Sequence, residues 1–200
     1  MTIRAIEKED IPSVVNIHLD AFKNFFLTKL GPTFLNIYYS SFFKSEEGKI
    51  FGAFENNTLM GFGAVCYNSQ GFNSKLIKDN LITYIPISLK LLFTKPNTLL
   101  RLIKNLSKRE NTGAIKDDGD YAELMSIAVG KDSQGLGVGK AVLNEIEKYL
   151  KNKNIERLSL TTDKNDNAAT INFYKKCGFS LFYSFVGYPD REMLRLIKKL

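Results

Sequence analysis

The chain has 200 residues, of which 44% are hydrophobic and 24% charged, and its net charge is +7. These values are ordinary for a globular protein, and the length suits one domain spanning residues 1–200. No apolar run is long enough to cross a bilayer, and residues 1–7 lack the apolar core of a signal peptide. Because two distant cysteines and one histidine make a Cys/His zinc site implausible, we expect no metal, reduced thiols at Cys66 and Cys177, and a cytoplasmic location.

The positive charge is concentrated in one segment of the sequence. Between residues 68 and 110, eight Lys or Arg face one Asp and one Glu, so this segment carries +6 and the rest of the chain +1. Residues 68–119 therefore read as a basic insertion in the domain. Its cations alternate with Leu and Ile, not with exposed aromatics or glycines, which argues against nucleic acid as a partner.

The first predicted elements are a strand at residues 3–6 and a helix from Asp10, as N-cap, to about Lys23. The only histidine of the chain, His18, lies beside the apolar stripe of that helix. A packed or hydrogen-bonded histidine is favoured over a catalytic one, because nothing near it in the sequence supplies an orienting partner. A second helix, at residues 33–43, is rich in aromatics, which suit either a core or one wall of an acceptor pocket.

A hairpin and the insertion follow. Residues 49–55 and 59–67 are predicted strands joined by Asn56-Asn57-Thr58. In the insertion, the long apolar stretches predict two or three short helices, broken at the prolines and either buried or interfacial.

The second half of the chain begins with a predicted strand at residues 121–129. A glycine-rich turn, an amphipathic helix ending near residues 151–154 and a parallel strand at 157–162 come next. A short helix at residues 167–176 precedes two closing strands. These strands cover residues 179–188 and 192–197, and Pro189-Asp190 turns the chain between them.

The glycine-rich turn, from Gln134 to Lys140, carries the strongest functional signal. Glycines at alternate positions let a ligand approach the backbone, and the free N–H groups at the start of the following helix favour phosphate. The turn fails the P-loop pattern, because position 134 is not glycine and position 141 is neither Ser nor Thr. It also fails the dinucleotide pattern, whose third glycine would fall at Lys140. A plain glycine turn that caps a helix is the alternative.

Two motifs together resemble the GNAT superfamily of N-acetyltransferases. The turn has the form Q-x-x-G-x-G after a strand, and residues 167–179 follow N-x-x-A-x-x-φ-Y-x-x-x-G-F, where φ is apolar and Thr170 replaces the small Ala. The resemblance covers residues 123–179 and implies an α+β GNAT fold: a mixed, twisted sheet of about seven strands flanked by helices, open between the strands at 121–129 and 157–162. The insertion would lie between the third and fourth strands.

The resemblance also implies acetyl-CoA as co-substrate and a set of residues that bind it. These residues are Ile127, Ala128, Val129, Gln134, Gly135, Leu136, Gly137, Val138, Gly139, Lys140, Asn167 and Tyr174. Within that set, the backbone N–H of Val129 is the expected polariser of the thioester, and Asn167 is expected to contact the CoA arm.

Two residues are candidates for proton transfer. Tyr174 is the expected acid that protonates the leaving thiolate, and the alternative is a tyrosine packed beside a helix end. Glu123 resembles the general base of the histone acetyltransferase branch. Because side chains alternate along a strand, Glu123 is expected to share a face with Met125, Ile127 and Val129. A structural salt bridge at Glu123, with water as the base, is the equal alternative. No covalent intermediate is expected, so Cys177 is read as structural.

The sequence thus predicts an acetyl-CoA-dependent N-acetyltransferase that transfers the acetyl group directly to a primary amine. The favoured acceptor is a small molecule such as an amino sugar, and the basic insertion suggests an anionic one. The alternatives are an acetyltransferase that acts on protein N-termini or lysines, and a non-catalytic acyl-CoA-binding domain. A peripheral membrane contact through residues 75–109 stays open, as does the choice between a monomer and a homodimer.

Overall fold

The computed structural model describes residues 1–23, 25–94, 97, 117–187 and 190–200. Seven strands form one sheet in the order β1-β2-β3-β4-β5-β7-β6. The strands are β1 Thr2–Ala5, β2 Gly48–Glu55, β3 Thr58–Cys66, β4 Ala122–Val129, β5 Arg157–Asp163, β6 Ser180–Gly187 and β7 Arg191–Lys199. Only β4 and β5 pair in parallel, and the other neighbours are antiparallel. The predicted mixed sheet of about seven strands is confirmed.

The described residues also form seven α-helices. They are α1 Ile11–Ala21, α2 Phe26–Leu30, α3 Pro32–Lys44, α4 Phe72–Asp79, α5 Leu81–Thr94, α6 Val138–Asn152 and α7 Ala168–Lys176. Helices α1, α3, α6 and α7 agree with predicted helices to within a few residues, and α4 and α5 correspond to the short helices predicted in the insertion. Helix α2 was not predicted. Within the described ranges, no helix is both long and apolar enough to span a bilayer.

The two faces of the sheet are covered by different helices. Helices α1, α3, α4 and α5 pack on one side, around Tyr39, Phe42 and Phe62, and we call this the α3 face. Helix α6 packs on the other side, around Val142 and Ile146, and we call this the α6 face. The pattern of β3 explains the arrangement, because it places Phe62 and two further apolar side chains on the α3 face and glycines on the α6 face. An added Cβ at one of these glycines, Gly63, would lie 2.8 Å from Ile146, so the helix packs directly on the backbone.

A β-bulge in β4 changes which side chains share a face. Opposite β3, Ala64 pairs with Ser126 but its neighbour Val65 pairs with Leu124, so Met125 is the extra residue. Glu123 is paired with Cys66, which belongs to the α3 face, whereas Ile127 and Val129 pack with the α6 face. The prediction that Glu123, Ile127 and Val129 share one face is therefore wrong, because the bulge inverts the alternation between them.

Strands β4 and β5 separate soon after they meet. Their parallel pairing covers Ala122 with Leu158 and Glu123 with Ser159. Beyond Glu123, β4 pairs only with β3, although β5 continues to Asp163. The sheet therefore opens between the two strands, as the resemblance implied, and one edge of β4 faces the opening.

The insertion contributes α4 and α5 to the α3 face. Asn80 separates the two helices: its side-chain N–H₂ donates to the carbonyl of Leu76, and its own carbonyl accepts the first N–H bonds of α5. Pro86 lies inside α5, so the prediction that this proline breaks a helix is wrong. The cations of the insertion from Lys95 to Arg109, as well as Pro96, Tyr188 and Pro189, lie outside the described residues.

Asp10, the predicted N-cap of α1, does not cap the helix with its side chain. Asp10 stands at the N-cap position, but its side chain makes no bond to the helix. Its carboxylate accepts hydrogen bonds from the Arg4 guanidinium at 2.6 and 3.1 Å and from the N–H of Glu7 at 2.8 Å. These hydrogen bonds, the one from Arg4 above all, lower the pKa of Asp10. Asp10 therefore ties β1 to the start of the helix.

Candidate active site

The glycine-rich turn leads from β4 into the first turn of α6. A short 3₁₀ turn, Lys131–Ser133, follows β4, and α6 begins at Val138. Gly135 and Gly137 have φ values of +80° and +76°, a conformation that L side chains rarely adopt. An added Cβ at either glycine would meet no atom within 4 Å, so the turn is open on the side where its α-hydrogens point. The N–H groups in the first turn of α6 have no partner within the helix, and groups of this kind at a helix start can bind phosphate.

The edge of β4 that faces the opening carries hydrogen-bond donors. The N–H of Gly130 donates to the carbonyl of Met60 at 2.8 Å and so points toward β3. Because successive N–H groups of a strand point to opposite edges, those of Val129 and Ile127 point toward the opening. Two backbone donors thus face the space between β4 and β5.

Helix α7 meets the start of α6 at the end of β4. A Cβ added to Gly139 would lie 3.5 Å from Val129 Cγ2 and 3.6 Å from the ring of Phe173. The next residue, Tyr174, is 7% exposed, and its ring packs against those of Phe173 and Phe179 with centroids 5.2 and 5.6 Å apart. The structure therefore brings the turn, Val129 and the Tyr174 segment together, as the two motifs imply.

The pKa of Tyr174 is raised above its usual value, mainly by burial and further by the nearby Cys177. A phenol in that environment keeps its proton at neutral and mildly alkaline pH, which a general acid needs. The thiol of Cys177 also has a raised pKa, again because of burial, so it is a poor nucleophile.

Asn167 stands directly before α7. Its side-chain N–H₂ donates to Thr162 Oγ1 at 2.6 Å and to the carbonyl of Asp163 at 2.9 Å. Both bonds fasten the start of α7 to the end of β5. The contact of Asn167 with the CoA arm stays a prediction.

Glu123 lies at the closed end of the opening, where β4 and β5 still pair. Its Oε1 is 3.3 Å from Nη1 of Arg195, and the side chains of Glu123 and Arg195 are 16% and 6% exposed. Arg195 also donates to Tyr183 Oη at 2.9 Å and to Ser159 Oγ at 3.2 Å. The salt bridge that the sequence left open is thus present, and the role of Glu123 as a base stays a prediction.

An acidic partner of Arg195 lies at the end of the insertion and was not predicted from the sequence. Asp117 Oδ2 accepts hydrogen bonds from the hydroxyls of Tyr183 at 2.6 Å and Tyr121 at 2.7 Å, and it lies 3.8 Å from Arg195 Nε. Burial alone would raise the pKa of Asp117, but these hydrogen bonds outweigh it and lower the pKa. The sequence signal for this network was Arg195 itself, a cation in the middle of the apolar run of β7.

His18 is buried, as expected of a packed or hydrogen-bonded histidine, with 4% of its surface exposed. Its Nδ1 lies 2.7 Å from the hydroxyl of Tyr39 on α3. The sequence showed no partner for His18 because this one is 21 residues away.

Comparison with known proteins identifies the family. A model of the acetyltransferase (GNAT) family matches residues 11–179, so the chain belongs to that family and has its fold. An uncharacterized N-acetyltransferase ycf52 of Porphyra purpurea is 33% identical over 66 residues, which is 33% of this chain and 36% of the relative. The alignment therefore covers about a third of that relative's length.

Solved structures share the fold at low sequence identity. A ribosomal-protein-alanine N-acetyltransferase from Brucella melitensis is 14% identical, with a TM-score of 0.64 and complete coverage of both chains. The PaiA N-acetyltransferase from Thermoplasma acidophilum, solved in complex with coenzyme A, is 17% identical, with a TM-score of 0.60 and complete coverage of both chains.

Proposed function

We propose that this protein transfers the acetyl group of acetyl-CoA directly to a primary amine. The observation that carries the proposal is the opening between β4 and β5, which lies next to the glycine-rich turn and has backbone donors on its edge. In this proposal the pyrophosphate lies on the turn from Gln134 to Lys140 and the start of α6. The pantetheine arm enters the opening along residues 127–129.

The chemistry assigns a role to each candidate residue. One of the two backbone donors on this edge, the N–H of Val129 or that of Ile127, polarises the thioester carbonyl, because a preorganised donor stabilises a developing oxyanion. Tyr174 protonates the leaving thiolate. Glu123, which also forms the salt bridge with Arg195, removes the proton of the amine, directly or through water.

The acceptor is the least constrained part of the proposal. A small amine is favoured, and an N-terminal or lysine amine of a protein is the alternative. Spermidine, a peptide with an N-terminal alanine and glucosamine 6-phosphate represent three classes of amine. Release of CoA thiol from acetyl-CoA, measured with each of them, tests the proposal. If acetyl-CoA binds but no amine accelerates thiol release, the protein is an acyl-CoA-binding domain.

The insertion supplies a basis for choosing among these amines. In the described part of the insertion, α5 buries Tyr84, Ile87 and Leu91 and leaves Lys90 exposed. We propose that the insertion narrows the acceptor side and favours an anionic acceptor through its excess positive charge. Such attraction weakens with salt, because the screening length is about 8 Å at physiological ionic strength.

Charge reversal tests this part of the proposal. Changing Lys90, Lys95 and Arg101 to Glu should raise KM for glucosamine 6-phosphate and spare KM for acetyl-CoA, and added salt should have the same effect on the unchanged protein. The alternative is a membrane contact, favoured by the exposed Ile82 and Phe93 of α5, which are 86% and 83% exposed. If both constants stay unchanged while binding to anionic vesicles is lost, the insertion is a membrane-binding device.

The two cysteines among the described residues are free thiols, which supports the cytoplasmic location as part of the same proposal.

A further inference from the structure

A chain of three polar side chains runs through the apolar core of the α3 face. Nδ1 of His18 lies 2.7 Å from the hydroxyl of Tyr39, and that hydroxyl lies 3.2 Å from Oγ of Ser126. Tyr39 is fully buried and His18 nearly so. Aromatic rings of Phe22 and Phe62 pack against the chain. A buried polar group costs free energy when it has no hydrogen-bond partner, and Nε2 of His18 has none among the described residues. Packing alone therefore does not explain a histidine at this position.

The outer end of the chain lies at the opening of the sheet. Ser126 follows the bulged residue of β4 and lies three residues beyond the last pairing of β4 with β5. It pairs with Ala64, so its side chain belongs to the α3 face, and it is partly exposed. Ser126 directly precedes Ile127, whose N–H points toward the opening. The hydroxyl therefore lies beside the N–H of Ile127, the nearer of the two donors proposed for the thioester carbonyl.

From this placement we infer that Ser126 Oγ accepts a hydrogen bond from the acceptor amine, while Tyr39 and His18 are positioning residues that turn a lone pair of that oxygen toward the opening. The inference rests on the proposed acetyl transfer. The site then contains, besides the base and acid proposed from the motifs, a residue that contacts the acceptor.

The direction of the hydrogen bonds follows from the chemistry. An attacking amine needs its own lone pair for the carbonyl carbon, so Ser126 must accept from the amine and cannot donate to it. Ser126 then donates to Tyr39, and Tyr39 donates to Nδ1 of His18. Burial lowers the pKa of His18 to about 4, so the ring is neutral at pH 7 and one nitrogen has a free lone pair.

This direction fixes the tautomer of His18. Nδ1 must be unprotonated, which places the ring proton on Nε2. Among the described residues, Nε2 has no hydrogen-bond partner although it is buried. Hydrogen bonding around Nε2 therefore does not select the tautomer, and the bond to Tyr39 decides it.

The first test reads the tautomer directly. His18 is the only histidine of the chain, so protein labelled with [¹⁵N]histidine gives a single pair of ring nitrogen signals. We expect Nδ1 to show the shift of an unprotonated, hydrogen-bonded nitrogen and Nε2 that of a protonated one. Tyr39→Phe should move the Nδ1 signal. Tyr38→Phe is the matched control, because the hydroxyl of Tyr38 donates to Asn73 Oδ1 at 3.4 Å and does not take part in the hydrogen bonds that link His18, Tyr39 and Ser126. A proton on Nδ1 in the unchanged protein would overturn the inference.

The second test is a double-mutant cycle on the acetylation rate. The probe is whichever of spermidine, the alanine peptide or glucosamine 6-phosphate is turned over fastest. Ser126→Ala and Tyr39→Phe should each lower kcat/KM for this amine by roughly two- to tenfold, the value of one hydrogen bond, and spare KM for acetyl-CoA. The double variant should be no slower than Ser126→Ala, because Tyr39 acts through Ser126.

Additive losses in the cycle, or an equal loss in Tyr38→Phe, would overturn the inference and leave the proposed function standing. Failure of the unchanged protein to acetylate any of the three amines would instead refute the proposed function. The inference would then fall with it, whichever tautomer His18 adopts.

Discussion

Gly137 and Gly139 lie two residues apart in the turn but should respond differently to the same substitution. Gly137 has φ of +76°, whereas Gly139 is in the first turn of α6. Alanine at Gly137 would have room, because no atom lies within 4 Å of its Cβ, so the cost is that of the backbone conformation. That cost is about 1–2 kcal/mol for an L residue in the left-handed region.

Alanine at Gly139 would have ordinary helical angles and van der Waals contacts with Val129 and Phe173. Helix propensity then favours alanine over glycine by up to about 1 kcal/mol. For a chain of this size, 1 kcal/mol corresponds to roughly 2–4 °C in Tm. We therefore expect Gly137→Ala to lower Tm by roughly 2–8 °C and Gly139→Ala to leave it unchanged or raise it slightly.

Thermal unfolding with and without acetyl-CoA measures both stability and binding. At a hundredfold excess over Kd, a ligand stabilises the folded state by about 2.7 kcal/mol. The bulkier Gly137→Val should lose this stabilisation, because the altered turn no longer presents its N–H groups. If Gly137→Val keeps the full acetyl-CoA shift, the turn does not bind the co-substrate. If Gly137→Ala is as stable as the unchanged protein, the left-handed backbone at residue 137 does not carry the expected free-energy cost.

Three further predictions concern single side chains. Tyr174→Phe keeps the ring packing and should lower kcat by about 10²–10⁴ with little change in KM for acetyl-CoA, whereas an unchanged kcat would remove Tyr174 from the mechanism. Glu123→Gln should suppress the acidic limb of the pH profile of kcat if Glu123 is the base. If the acidic limb is intact and stability falls, Glu123 serves only in the salt bridge to Arg195. Because the folded-state pKa of His18, about 4, lies below its usual 6.5, its contribution to stability is complete above pH 6.5 and is lost as pH falls toward 4, by about 3 kcal/mol. Urea unfolding of His18→Phe between pH 6.5 and 4 should show no such loss of stability. If the variant loses as much stability as the unchanged protein, the loss does not come from protonation of His18.

The parts of the site that are local in sequence were predictable. The turn from Gln134 to Lys140 and the segment around Tyr174 each combine a secondary-structure signal with a spaced motif, and both occur where expected. The opening between β4 and β5 followed from the family resemblance, since no periodicity in either strand indicates where the pairing ends.

The parts that depend on pairing between distant segments were not predictable. The bulge at Met125 changes the face of Glu123, but one extra residue leaves no mark in an apolar strand. Arg195 and Glu123 are 72 residues apart, and only the strand order brings them together. Pro86 remains inside α5 because packing on α3 outweighs the hydrogen bond that proline removes from the helix.

The most direct test of the central claim follows an isotopically labelled acetyl group. The protein is incubated with [¹³C-acetyl]CoA and the best amine of the three, and both amine and protein are analysed by mass spectrometry. Direct transfer predicts the label on the amine nitrogen, in proportion to the CoA released, and none on the protein, Cys177 included. Label that accumulates on the protein before the amine is added, or an amine that stays unlabelled while acetyl-CoA is bound, would contradict direct acetyl transfer.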